Sequence, residues 1–211
     1  LDRVAASDAP PSMRRLRHLG PADACHRRAP VRVRVSFDGN FRAKLWEAWN
    51  GQPQSILHAL MALADIAFAD HRDIALVLGK DVDGTDPLQR FAGAATAAFA
   101  AFPHLKTLAA TVRTQPRADH HQLGAMLASR DGGTQQCAPI ELGNIVDRIG
   151  TGDAFAAGVL HGMLSGMSDT ESLAFGQAAG ALKHYFPGDA LNVDVDAVQA
   201  VVNGERLDVR R

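Results

Sequence analysis

The sequence predicts an α/β fold built on a mainly parallel central sheet, and two patterns carry the prediction. Short β-branched or apolar segments alternate with helical segments along most of the chain, as in βα units. One pair of apolar runs, 122–129 and 135–142, is joined instead by the turn Asp131-Gly132-Gly133 and reads as an antiparallel hairpin. The 211 residues, 46% hydrophobic, suit one globular domain or one and a half small ones.

Taken in order, residues 1–30 lack apolar periodicity and carry Pro10-Pro11, Pro21, Pro30 and several arginines, so an irregular arm is expected. A strand follows, with Val31, Val33 and Val35 alternating with Arg32, Arg34 and Ser36. Asp38, Asn40 and Arg42 sit where it ends, and ligands of open α/β sheets gather beyond the carboxyl ends of strands. Arg42 has the chemistry to grip a carboxylate or phosphate, or simply to close a surface ion pair. Leu45-Trp46 and 56–63 read as helices, and 64–69 as a short buried strand. Asp70 and Asp73 follow it at the start of a helix through Leu78, where capping is the default role and a place near hydrated Mg²⁺ the functional alternative. An alanine-rich helix over 86–102 has Pro87 in its first turn. The next strand, 105–111, puts Thr111 and Arg113 at its carboxyl end. After the hairpin come helices over about 151–164, 169–186 and 194–202, with fraying expected at 208–211. The small residues of the 169–186 helix, among them Ala178, leave room for a flat ligand or another backbone.

Composition excludes several functions. A net charge of −1 makes no global case for nucleic acid or membrane binding. Cys25 and Cys137 form neither a close pair nor a metal spacing, no apolar run reaches membrane-spanning length, and the start is no signal peptide, so a soluble cytoplasmic protein is expected. His120 and His121 are adjacent and would point to opposite faces of a strand, which argues against a metal site there.

The richest stretch is Asp147-Arg148-Ile149-Gly150-Thr151-Gly152-Asp153-Ala154-Phe155. Two glycines permit close approach of a ligand, and a helix start offers unpaired N–H groups and positive dipole charge. Such a place holds an anion. Asp153 beside it could take a proton from a hydroxyl attacking that anion, or could merely favour the helix dipole.

The stretch resembles the D-T-x-G-A-G-D-x-F signature of the ribokinase-like (PfkB-type) carbohydrate kinases. Phe37-Asp38-Gly39-Asn40-Phe41-Arg42-Ala43-Lys44-Leu45-Trp46 resembles a segment of the 2-keto-3-deoxygluconate kinases. Asp70 and Asp73 resemble the family's N-x-x-E-like pair, and Ala181-Leu182-Lys183-His184 with Pro187-Gly188-Asp189 resembles the tail of the same kinases. The resemblance implies a ribokinase-like three-layer fold and ATP-dependent phosphorylation of a sugar acid with Mg²⁺. It implies that Asp153 is the base and that Gly150, Thr151 and Gly152 form the anion hole. Thr111 and Arg113 then meet nucleotide phosphates, the small-residue helix around Ala178 forms a wall of the adenine pocket, and Asn40 and Arg42 lie close to the phosphates and the sugar acid. Asp189 falls near the sugar or a monovalent cation, and Asp70 and Asp73 in the shell around Mg²⁺. A homo-oligomer is left open. Thr151 stands for the signature's alanine and Arg148 for its threonine. The family's Gly-rich sugar region and β lid would precede Leu1, so residues 1–30 are expected to be a remnant of lid and linker. On that expectation 31–211 form the C-terminal nucleotide-binding part of a truncated chain, with residual or absent activity. An inactive nucleotide-binding remnant and a non-catalytic α/β protein are the alternatives.

Overall fold

The computed structural model describes residues 33–48, 51–117 and 120–204. Strands β1 (Ser36–Asp38), β2 (Ile66–Phe68), β3 (Thr107–Arg117), β4 (His120–Ser129) and β5 (Gly133–Leu142) form one sheet in sequence order. The β1–β2 and β2–β3 pairings are parallel, and β3–β4 and β4–β5 are antiparallel. Four of the five strands therefore run one way and only β4 opposes them, as a parallel sheet extended by a hairpin requires. The hairpin turn precedes Gly133, whose φ of 74° suits glycine.

The described helices are α1 (Ala43–Glu47), α2 (Pro53–Met61), α3 (His71–Leu78), α4 (Pro87–Ala101), α5 (Thr151–Leu164), α6 (Asp169–Lys183) and α7 (Val195–Val202). Strand alternation sorts the core into two faces. Ala67, Leu108 and Ala110 pack with Met61, Ile74 and Phe91 of α2, α3 and α4. Ile66, Phe68 and Ala109 pack with Phe155, Val159 and Leu173 of α5 and α6. The result is a three-layer sandwich, with α7 covering the outer side of α6 through Val198. Side-chain caps set several of the helix starts, and of these the sequence reading anticipated the one at Asp70 and Asp73. Asp86 accepts from the Gln89 N–H, Ser168 and Glu171 form a capping box, and so do Asp70 and Asp73.

Several boundaries differ from expectation, among them β2, which covers only Ile66–Phe68 of 64–69, and α2, which covers Pro53–Met61 instead of 56–63. β1 begins at Ser36, because the backbone of Val35 is already engaged: its N–H donates to Asp65 Oδ2 (3.0 Å) and its carbonyl accepts from Asp65 and Ile66. Val33 is 67% exposed, so the alternation there does not mark sheet. β3 runs to Arg117 instead of ending at Thr111, since β4 stays in register with it through Thr114↔Gln122. α6 ends at Lys183. The expected arm at 1–30, with Val31 and Arg32 after it, and the fraying end at 208–211 lie outside the described residues.

Candidate active site

Gly150 is the N-cap of α5 and takes the left-handed conformation (φ 75°, ψ 3°). A Cβ there would lie 1.9 Å from the Asp189 carbonyl oxygen, so the 189 segment presses directly on the turn. Gly150 supplies no side-chain cap to the N–H groups of the first turn, which therefore remain available to an anion. Space around Gly152 is open, and Gly152 and Asp153 are exposed.

The turn is locked from behind. Asp147 accepts from the Ile149 N–H (3.0 Å) and the Gly188 N–H (2.9 Å), and these bonds hold its carboxyl below the usual carboxylate range. The Val146 and Asp147 N–H groups donate to the His184 carbonyl. Lys183 is fully buried, and its ammonium donates to the Phe186 carbonyl at 2.8 Å while its charge favours the Asp147 carboxylate.

On the sheet side, Thr111 and Arg113 share the face of Ala109, toward α5 and α6. They stand mid-strand in β3, past the end of its pairing with β2 at Ala109, which keeps them beyond the carboxyl end of the parallel part. Arg113 reaches Thr151 Oγ1 at 3.5 Å and His184 Nε2 at 2.8 Å through Nη2. Burial first, then the nearby Arg148 charge, pulls the Arg113 pKa down. His184 is fully buried, and burial with the charges of Arg113 and Arg148 drops its pKa from 6.5 to about 4.

Acids gather opposite. Asp38, at the end of β1, has its pKa raised to about 6, by loss of water inside the protein and by the charges of Asp153 and Asp73. The residue keeps an open face toward solvent. Asn40 takes a left-handed φ of 34°, donates its N–H to Asp38 Oδ1 and accepts from Arg42 Nε (3.3 Å). Asp70 is occupied elsewhere: burial works against its charge, but hydrogen bonds from Arg72 outweigh it and lower the pKa. Asp73 closes the capping box through Oδ2 (2.9 Å), and burial raises its pKa. The default capping role of both is met, and of the two only Asp73 adds its field to Asp38.

A cleft of about 320 Å³ opens beside Asp153 between α5, α6 and α7, bordered by Phe175, Ala179 and Asp189. Ala178 itself is fully buried in the cluster that α6 forms with α7, while its α6 neighbours Phe175 and Ala179 border this cleft. Its small neighbours serve another backbone, since a Cβ on Gly176 would lie 2.9 Å from the Phe155 carbonyl of α5. Sequence reasoning gave no role to His184 or Asp38. Asp38 was legible as an acid at a strand end, whereas nothing local in the sequence couples His184 to Arg113, 71 positions away.

A helix start open to an oxyanion, an arginine beside it and an acid in its first turn have the chemistry of a phosphotransferase. The chain belongs to the pfkB family of carbohydrate kinases, whose family model matches residues 22–191. It is 31% identical over 170 residues to the 2-dehydro-3-deoxygalactonokinase of Haloferax volcanii, covering 81% of this chain and 47% of that one. The solved 2-dehydro-3-deoxygluconokinase of Thermotoga maritima superposes with a TM-score of 0.74 at 30% identity, over 87% of this chain and 54% of that one. A ribokinase II of E. coli, solved with ATP and Mg²⁺, shares the fold at a TM-score of 0.55 and 20% identity, over 81% of this chain and 48% of that one. The chain thus spans about half the length of these relatives. Among the described residues, no helix is long and apolar enough to cross a membrane.

Proposed function

We propose that the chain carries the phosphate-transfer part of an ATP-dependent kinase acting on a 2-keto-3-deoxy sugar acid. The observation that carries this reading is the open N-terminus of α5 with Asp153 in its first turn. The N–H groups around Gly150, Thr151 and Gly152 stabilise charge on the transferred phosphoryl group, and Asp153 takes the proton of the attacking hydroxyl. Arg113 and Thr111 meet the nucleotide phosphates. Asn40 and Arg42, joined at the end of β1, hold the sugar acid's carboxylate. Asp189, exposed at the cleft mouth beside Asp153, contacts the sugar or a monovalent cation.

The acidic side fits Mg²⁺. Asp38 and Asp73 are crowded carboxylates with raised pKa values, and a divalent cation would relieve that crowding. Among the described residues, no group of three or more His, Cys, Asp and Glu is set to enclose a metal. Mg²⁺ would therefore be held by ATP phosphates and water, with these carboxylates around it. A cytoplasmic reaction is the reading that a need for ATP supports, and the near-neutral charge gives no reason to expect a nucleic acid partner.

The test is ADP release by the purified chain with ATP, Mg²⁺ and either 2-keto-3-deoxygluconate or 2-keto-3-deoxygalactonate. Sugar-dependent release is expected, and Asp153→Asn should lower kcat by about 10²–10⁴ with little change in the KM for ATP. Equal kcat in parent and D153N, or release indifferent to sugar, overturns the reading.

A further inference from the structure

His184 has a function that its burial alone does not explain. Its Nδ1 lies 2.7 Å from the Gly180 carbonyl oxygen. A carbonyl only accepts, so Nδ1 carries the proton and Nε2 presents a lone pair. That lone pair faces Arg113 Nη2 at 2.8 Å. The same guanidinium nitrogen approaches Thr151 Oγ1, on the first residue of α5, at 3.5 Å. The chain of contacts therefore starts at the α6 backbone, passes through a fully buried imidazole, and ends on an arginine at the open helix start. Arg113 Nε is buried with no hydrogen-bond partner, so the guanidinium retains a donor that the described protein does not use.

We propose that His184 is a positioning residue that fixes the Arg113 guanidinium at the α5 N-terminus, where Arg113 grips a polyphosphate oxyanion. A long arginine on a strand has several rotamers, and ordering it costs entropy each time a ligand binds. The acceptor at Nε2 meets that cost during folding and leaves the guanidinium preorganised. The imidazole serves because it accepts at one nitrogen while anchored at the other. The inference rests on the kinase reading only for the identity of the anion, a nucleotide's phosphates.

The test measures binding of inorganic tripolyphosphate and of ATP by calorimetry, so it does not depend on sugar turnover. The proteins are the full chain, His184→Leu, His184→Gln, Arg113→Met and the double variant Arg113→Met/His184→Leu. H184Q keeps an acceptor toward Arg113 and a donor toward Gly180, and H184L keeps neither. Expected are a loss of roughly tenfold or more in H184L and in R113M, the expected scale for a charge-assisted contact. H184Q should stay within about threefold of the parent. The double variant should bind no more weakly than R113M, because His184 acts only through Arg113. Equal losses in H184Q and H184L, additive losses in the double variant, or a parent that binds no tripolyphosphate overturn the proposal. Should H184L not fold, the ¹⁵N resonance of His184 Nε2 in the parent decides: it shifts on saturation with tripolyphosphate if Arg113 takes the anion, and an unmoved resonance overturns the proposal. A parent that binds tripolyphosphate and ATP but never turns over a sugar acid fails the kinase reading and leaves this inference standing.

Discussion

Two independent constraints act on Gly150, and neither acts on Gly152. At Gly150 the backbone is left-handed and the Asp189 carbonyl occupies the space of any side chain. Gly150→Ala should therefore cost about 1–3 kcal/mol in backbone strain, plus whatever is needed to displace the 189 segment. At Gly152 nothing lies within 4 Å of an added Cβ, so Gly152→Ala should leave stability unchanged or raise it by about 0.5–1 kcal/mol, as for any helical glycine. Urea unfolding of the two variants checks the contrast, and equal stability of G150A and G152A would contradict it. The glycine turn and Asp153 were legible in the sequence because their chemistry is local: neighbours along the chain make the site. Arg113 was legible as a polar residue near a strand end. Its partners, Thr151 and His184, were not, because only the packing of α5 and α6 on the sheet brings three distant segments together.

At the scale of elements, periodicity found the helices and strands, and hydrogen bonding decided their ends. β3 outran its apolar pattern because a hairpin partner supports polar residues such as Thr114 and Gln122, which bond each other at 3.0 Å. β1 fell short of its pattern because the Asp65 carboxylate took a backbone donor from Val35. The small residues of α6 were read correctly as a place for close approach, and the structure shows that the approaching group is α5. A Cβ on Gly158 would lie 2.7 Å from the Gly176 Cα, and one on Gly162 the same distance from the Ser172 Cα. The two helices therefore touch backbone to backbone, which fixes the N-terminus of α5 relative to His184 at the end of α6. Gly176→Ala would push its new methyl to 2.4 Å from Val159 Cγ2 and 2.9 Å from the Phe155 carbonyl. The backbone contact cannot yield by a rotamer change, so the helices must separate. The expected loss is roughly 1–3 kcal/mol, read as a lower Tm. Polyphosphate affinity should fall with it, because the spacing between Thr151 and His184 widens. A G176A chain with parental Tm would show that the helices are packed less closely than this.

For the whole molecule, the site makes stability depend on pH through two groups of opposite sign. His184 has a folded pKa of about 4 against 6.5, so its unfolded form takes up a proton that the folded form refuses. Its contribution to stability is complete above about pH 6.5 and is lost as pH falls toward 4, by at most about 3 kcal/mol. Asp38 acts the other way. Its folded pKa of about 6 means that the folded form binds the proton more readily, so acidification through the same window relieves first the cost of its lost hydration and then its repulsion with Asp153 and Asp73. The imidazole is sealed from solvent and Asp38 keeps an open face, so screening weakens the second effect more than the first. Net stability should therefore fall from pH 7 to pH 4.5. Asp70, Asp147 and Glu171, whose pKa values are lowered, add losses only further into acid. Two substitutions separate the opposing terms. Asp38→Asn removes the compensating carboxylate, so it should raise stability at pH 8 and make the acid loss steeper. His184→Gln removes the group that refuses a proton, so it should flatten the curve between pH 6.5 and 4.5. Urea midpoints across that range give the answer: a parental slope in H184Q means that His184 is not the source of the acid loss, and a shallower slope in D38N means that the folded protein does not favour the protonated form of Asp38.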